Sequence, residues 1–176
     1  EFADFECPHC QQMAFVMQDI AQRYYDHVHF VFKHYPLGQA CNDQLSRDMH
    51  PDACLAAVGT QCARRQGEFW AFHDRAFDNQ GSLGRRKLLK ISDTIGLDRS
   101  RFEECLQRDD VWNEVRSTVG QGRSVGISGT PSFFLNGREL VSVHPVAIEA
   151  AIRSELLAAG ASITDLPPDP DGLFGL

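Results

Sequence analysis

The sequence contains no apolar run approaching the ~18–20 residues that a membrane-spanning helix needs, so no span is expected within it. Surplus positive charge is missing too. Its 17 lysines and arginines stand against 24 aspartates and glutamates, for a net charge of −7. With no excess of cations to neutralise phosphates, nucleic acid is not expected as a partner. The densest basic group, Arg85, Arg86, Lys87 and Lys90, reads as a solvated helix face. No internal repeat or low-complexity segment interrupts the 176 residues, and a content of 43% hydrophobic and 23% charged residues suits a soluble domain with a full core. The length fits one domain, or one domain carrying a large insertion. No signal peptide opens the sequence. Instead Glu1-Phe2-Ala3-Asp4-Phe5 reads as the end of a strand whose beginning is missing, so upstream residues are expected to have been removed, to be disordered, or to belong to a larger parent.

What is present is a set of six cysteines. If Cys7 and Cys10 form a working pair, then Cys41, Cys54, Cys62 and Cys105 remain, an even set consistent with two structural disulfides. Stable disulfides imply an oxidising compartment. The competing reading makes these four buried free thiols of a cytosolic protein, since free cysteine packs as a small hydrophobe. Zinc is the main rival chemistry for a CxxC. A structural zinc site needs two further ligands, usually in a second paired motif, and the sequence has no second CxxC. His34, His50, His73 and His144 show no ligand spacing and read as capping or structural residues. No metal and no cofactor is expected.

The apolar pattern divides the chain. After the opening strand, Pro8 stands where the first turn of a helix tolerates proline, and Met13, Phe15 or Val16, Met17, Ile20, Ala21 and Tyr24 follow at helical spacing. This helix is predicted to end near Asp26-His27, before a strand over 28–32 rich in β-formers. Strand, helix, strand makes a βαβ unit with CxxC at its first turn. Residues 36–50 lack periodicity and read as a loop. Helices are predicted over 51–66, 68–79, 84–95 and 100–107, and from Asp109 or Asp110 to a fade near Gly120-Gln121-Gly122. Phe69, Trp70, Phe72 and Phe77 are expected in the core, with some lining a groove above Cys7. Strand signal returns at 132–135, turns at Asn136-Gly137 and resumes at 139–141, the strongest short-range hairpin cue. Pro145 opens a last helix ended by Gly160, and the tail from Ile163, with Pro167, Pro168 and Pro170, reads as irregular.

A CxxC at a strand-to-helix turn is a redox arrangement, because two intervening residues bring both sulfurs within bonding reach. The first cysteine sits at a helix N-terminus, where unpaired N–H groups and the macrodipole favour an anion. Exchange proceeds through the thiolate, so a lowered pKa makes Cys7 both available to attack and a good leaving group. Cys7 is the expected nucleophile, with its sulfur exposed, and Cys10 the more buried resolving thiol. Pro8 and His9 lie between them, and His9 can donate to or electrostatically support the thiolate.

Phe2-x-x-Phe5-x-Cys7-Pro8-His9-Cys10 resembles the active-site strand and turn of DsbA-like proteins of the thioredoxin superfamily, whose hallmark is the Pro-His dipeptide. Gly126-Ile127-Ser128-Gly129-Thr130-Pro131-Ser132-Phe133-Phe134 resembles that family's cis-proline loop, which lies beside the CxxC in space. The stretch from His50-Pro51-x-Ala53-Cys54 to Gln66-Gly67-x-Phe69-Trp70 resembles a branch sometimes fused to vitamin K epoxide reductase-like (VKOR-like) membrane proteins. The resemblance implies an α/β thioredoxin-like fold with an inserted all-helical domain. Residues 1–35 and 126–160 would form the thioredoxin-like part, 36–125 the insertion and 161–176 an irregular tail. It implies a cis Pro131, with the Thr130 backbone left free to pair with an extended substrate segment. Glu1 and Lys33 have the spacing of an acid–lysine pair beneath the active site, where a partly buried carboxylate would relay the proton of Cys10; the plainer reading has both reaching solvent at strand ends.

For the other cysteines, Cys41–Cys54 would tie the 36–50 loop to the first insertion helix and Cys62–Cys105 would staple two insertion helices, with Cys41–Cys62 and Cys54–Cys105 as the open alternative. The expected activity is thiol–disulfide exchange that introduces disulfides into extracytoplasmic, cysteine-containing protein substrates. Reoxidation would fall to a membrane or quinone-linked partner, VKOR-like or DsbB-like. The expected place is the periplasm or the outer face of a membrane, with tethering through a missing N-terminal segment. A reductase or isomerase of the same fold is the rival enzyme, and a peptide-binding chaperone module the rival class.

Overall fold

The computed structural model describes residues 1–168. Strand β1 (Phe2–Ala3) runs parallel to β2 (Lys33–His34) in the register Phe2 with Lys33 and Ala3 with His34. On its other edge Phe2 exchanges both backbone hydrogen bonds with Ser132, at 2.8 and 3.0 Å. Ser132 leads into the antiparallel hairpin of β3 (Phe134–Leu135) and β4 (Arg138–Glu139). The turn between them has φ of 49° at Asn136 and 80° at Gly137, the paired positive φ that a two-residue hairpin turn demands. β1 is therefore flanked on both edges, and it delivers the chain directly to the CxxC.

The strand predicted over 28–32 is displaced. Side chains from Val28 to Phe32 do alternate between half-buried and exposed as a strand's would, but the ladder to β1 falls on Lys33–His34. β propensity reports fit to a half-buried surface rather than a pairing partner. The pairing of the hairpin likewise begins earlier, at Arg138 rather than Glu139.

Helix α1 (Pro8–Arg23) takes Pro8 at its first position and buries Cys10, Met13, Met17 and Ile20. It ends at Arg23, before Asp26-His27, and Phe15 is turned outward at 54% exposure. Its apolar stripe meets Ile148 and Ile152 of α7 (Pro145–Ala158) together with Phe133. Glu149 of α7 locks the two helices, accepting from the Tyr24 hydroxyl at 2.8 Å and from Arg23 Nη2 at 2.8 Å. After α7 the chain makes a 3-10 turn at Ile163–Asp165, where irregular chain was predicted, and buries Leu166 while Arg153 donates to the Pro167 carbonyl. The rest of the tail expectation, Pro170 included, lies outside the described residues.

Between the strands lie α2 (Ala53–Arg64), α3 (Phe69–Asp78), α4 (Arg85–Thr94), α5 (Arg99–Cys105) and α6 (Asp109–Ser124). Their core joins Val58, Phe72, Phe77, Leu88, Phe102 and Val111 to Phe5 beneath the CxxC turn. Trp70, expected in that core, is 52% exposed. α5 starts earlier than Ser100 because the Asp98 side chain accepts the Arg101 N–H at 3.0 Å, an N-cap bond. α6 does not fade at its glycines. A Cβ on Gly122 would lie 2.6 Å from the Tyr35 ring, so the missing side chain is what lets α6 close onto the strand layer.

His34, at the end of β2, is 1% exposed, and neither ring nitrogen has a hydrogen-bond partner. Burial, then the neighbouring His73, pushes its pKa down to about 3. The folded protein holds this ring neutral, whereas an unfolded histidine takes up a proton below about pH 6.5. The stability this gives is complete above pH 6.5 and is lost as pH falls toward the folded value. Between pH 7 and pH 5 the loss should be about 2 kcal/mol. Urea unfolding at the two pH values checks it: His34→Phe should remove most of the difference, and an unchanged pH dependence would exclude His34 as its source.

Candidate active site

Cys7 caps α1 in an extended conformation, with φ −78° and ψ 119°. From there it faces the first-turn N–H groups of the helix, the place where an anion is best held. Cys10, one turn inside, is 0% exposed; both are free thiols. The Cys7 sulfur was expected to be exposed, but the residue is only 6% exposed. The reason is Thr130, whose carbonyl oxygen lies 3.3 Å from Cys7 Sγ. The Thr130–Pro131 peptide bond is cis. Pro8 and His9 are exposed at the mouth of the site.

The two thiols are driven apart in acidity. The Cys10 thiol first, then the Thr130 side chain and the backbone N–H groups of Cys10 and His9, hold the Cys7 pKa down to about 5 against the opposing effect of burial. Burial, and the proton Cys10 shares with Cys7, push Cys10 far above the ordinary thiol range. At neutral pH the arrangement is a thiolate at the helix end and a protonated thiol behind it. His9 acts on the thiolate through its backbone N–H, and its side chain lies exposed beside it.

Glu1 and Lys33 meet across the β1–β2 ladder, where the Lys33 N–H donates to the Glu1 carbonyl at 2.7 Å, but their side chains have different surroundings. Lys33 Nζ donates to Gln121 Oε1 of α6 at 2.7 Å. Glu1 Oε1 is buried without a hydrogen-bond partner, and burial raises its carboxyl pKa. Sequence reasoning also passed over residues that do hold the CxxC turn. Asp4 donates its N–H to Cys10 Sγ at 3.5 Å, and its carbonyl accepts the Cys7 N–H at 3.2 Å. Gln80, just past α3, donates from one amide nitrogen to the carbonyls of Phe5 and Cys7, at 2.9 and 2.8 Å. The available signal was Asp4 itself, a charge inside an otherwise apolar strand. Gln80 gave none, because its partners are backbone atoms 75 and 73 residues away.

The remaining cysteines form the disulfides Cys41–Cys54 and Cys62–Cys105. The first fastens the 36–50 loop to α2, and the second fastens α2 to α5. Among the described residues no cluster of His, Cys, Asp or Glu could hold a metal ion.

The chain is similar to alpha-DsbA2 of Wolbachia pipientis, a thiol-disulfide exchange protein, with a TM-score of 0.74 and 16% identity over 88% of this chain and 78% of that one. It is similar to oxidised BdbD of Bacillus subtilis with a TM-score of 0.68 and 18% identity, covering 89% of this chain and 85% of that one. A curated relative, Na(+)/H(+) antiporter NhaA 3 of Salinispora tropica, is 33% identical over 160 residues, which is 90% of this chain and 23% of the relative. The chain thus spans about a quarter of that protein's length. Among the described residues no helix is long and apolar enough to cross a membrane. The likeness to solved structures gives the fold, a thioredoxin-like α/β domain with a helical insertion. The family model for the DSBA-like thioredoxin domain matches residues 1–153, from the first strand into the last helix. On that match, the chain belongs to the DSBA-like thioredoxin-domain family.

Proposed function

We propose that this chain is an oxidant: it hands the Cys7–Cys10 disulfide to cysteine-containing protein substrates outside the cytoplasm. The observation that carries this reading is the placement of Cys7 at the N-terminus of α1 with the buried Cys10 thiol behind it, which lowers the Cys7 pKa to about 5. A stabilised thiolate stabilises the reduced form of the pair, and a disulfide whose reduced form is favoured is a strong oxidant. A substrate thiolate attacks Cys7 Sγ, the Cys7–Cys10 bond breaks, and Cys10 leaves and takes up a proton. The second substrate thiol, as its thiolate, then attacks the mixed disulfide and expels Cys7 as a thiolate. Two electrons pass from the substrate dithiol to the pair, and a membrane or quinone-linked partner, VKOR-like or DsbB-like, would remove them.

In this reading residues 1–35 and 126–160 do the chemistry, and 36–125 frame it. Thr130 and Pro131, beside Cys7, would seat an extended substrate segment as an added strand, with Pro8 and His9 forming the exposed rim. Glu1 would relay the proton of Cys10, giving it as Cys10 leaves and taking it back when the pair is reoxidised, as a buried carboxyl with a raised pKa can. Lys33, occupied by Gln121, supports that relay least. The disulfides Cys41–Cys54 and Cys62–Cys105 support an oxidising compartment.

The test is anaerobic mixing of the oxidised protein with a reduced dithiol peptide and no other oxidant. One peptide disulfide per protein molecule, formed within seconds, is the expected result. Failure to transfer, together with reduction of insulin disulfides at the expense of glutathione, would make the chain a reductase instead.

A further inference from the structure

Asp4 joins the redox pair to a histidine in a different part of the chain. Its backbone touches both cysteines, through N–H to Cys10 Sγ and carbonyl to the Cys7 N–H. Its side chain, 0% exposed, points the other way. Oδ1 accepts the Glu6 N–H at 2.6 Å, and Oδ2 accepts the Leu37 N–H at 2.6 Å and meets His50 Nδ1 at 2.7 Å. Glu6 reaches the same segment, accepting the Asp52 N–H at 2.7 Å. His50 is 21% exposed, so the imidazole spans the distance from a closed interior to solvent.

We propose that Asp4 and His50 are positioning residues for the redox reaction, bracing the Cys7–Cys10 turn and making its redox state felt as a proton on His50. This rests on the reading that the pair cycles between disulfide and dithiol, not on the direction of that cycle. Oxidation of a substrate dithiol releases two protons. One goes to Cys10 as it leaves, Cys7 stays a thiolate, and the second proton must go elsewhere. The disulfide is uncharged and the reduced pair carries one negative charge. A group that is cationic when protonated, linked through Asp4 to that charge, holds its proton more tightly in the reduced state, and by reciprocity its charge favours the thiolate.

The charged groups that act on the imidazole are Asp4, Glu6 and Cys7, all from the CxxC side; on its own segment Asp48 accepts from the Gln39 N–H and Asp52 lies beside Glu6. The hydrogen bond to Asp4 raises the His50 pKa first, and the charges of Asp4, Glu6 and Cys7 add to it. A proton on His50 therefore offsets the Asp4 carboxylate, whose negative charge lies buried behind the turn that carries the thiolate.

The sign of two substitutions separates this role from bracing alone. His50→Asn keeps an N–H donor near the position of Nδ1 but removes the charge, leaving Asp4 uncompensated; the thiolate midpoint of Cys7 should rise by about half a pH unit or more. Asp4→Asn removes the anion and leaves the histidine, so the midpoint should stay or fall. Bracing alone predicts that both variants loosen the turn and shift the midpoint the same way. The experiment follows Cys7 by its ultraviolet thiolate absorbance and His50 by its imidazole proton shifts, in oxidised and reduced protein across pH. The expected result is a higher His50 midpoint in the reduced wild-type protein, with the opposed responses in the variants. An equal His50 midpoint in the two redox states overturns the proposal, and that comparison stands even if a variant fails to fold. Absence of any thiolate signal from the reduced pair would instead sink the thiol chemistry on which it rests.

Discussion

Replacing Cys7 with serine is expected to abolish disulfide transfer, by at least about three orders of magnitude, while leaving the protein folded. A hydroxyl cannot form the mixed disulfide, and Cys10 cannot substitute for it, being fully buried and held in its protonated form. Cys10→Ser should behave differently. A serine hydroxyl can still donate to the Cys7 sulfur, so attack proceeds, but a mixed disulfide made with substrate has no internal thiol to resolve it. Incubated with cysteine-containing proteins, the Cys10→Ser form should accumulate as disulfide-linked adducts on non-reducing gels, and the Cys7→Ser form should not. A peptide-holding module would lose nothing on Cys7→Ser. Full transfer activity in that variant would place the chemistry elsewhere. The same thiolate gives a linkage prediction. With its folded pKa at about 5 and an unfolded thiol near 8.5, the thiolate contributes stability that is fully present above the unfolded value and is lost as pH falls through 5. The reduced protein should therefore gain on the oxidised one as pH rises from 5 toward 9.

Loss of the Cys62–Cys105 disulfide is expected to be the most damaging change to stability. It closes a loop with a sequence separation of 43, against 13 for Cys41–Cys54. Chain entropy alone then assigns about 4 kcal/mol to the longer link and about 3 kcal/mol to the shorter. Both sit at the edge of one packed core, with Cys54 and Cys62 on α2 and each at 1% exposure. Urea unfolding of Cys62→Ser/Cys105→Ser and Cys41→Ser/Cys54→Ser double variants measures the two losses. The reverse order would mean that native packing around the 36–50 loop outweighs loop closure.

The chemistry was more legible in the sequence than the framework that holds it. CxxC, Pro8 and the Thr130-Pro131 loop stand out because each depends on residues adjacent in the chain. The helices stand out for the same reason: their caps and apolar spacing are local, and their ends fall within a few residues of the positions predicted. What the sequence does not display is pairing across distance. Val28–Phe32 looks more like a strand than Lys33–His34 does, and only the register with β1 decides between them. Gly122 reads as a helix breaker until Tyr35 is placed against it. His50 reads as an isolated histidine because its partner, Asp4, is 46 residues away. The spacing of Glu1 and Lys33 shows two strand neighbours, joined from the Lys33 N–H to the Glu1 carbonyl at 2.7 Å, but not Gln121 of α6, 88 residues on, to which the lysine Nζ donates.

The central claim is that the fold favours the reduced form of the Cys7–Cys10 pair. Its most direct test is the reduction potential of that pair, measured by equilibration in glutathione buffers with Cys41, Cys54, Cys62 and Cys105 followed separately. The account predicts a value well above the thioredoxin level of about −270 mV, in the direction of about −120 mV known for a strong disulfide donor. A value at or below about −270 mV would contradict it, and would assign the protein to the reduction or repair of disulfides.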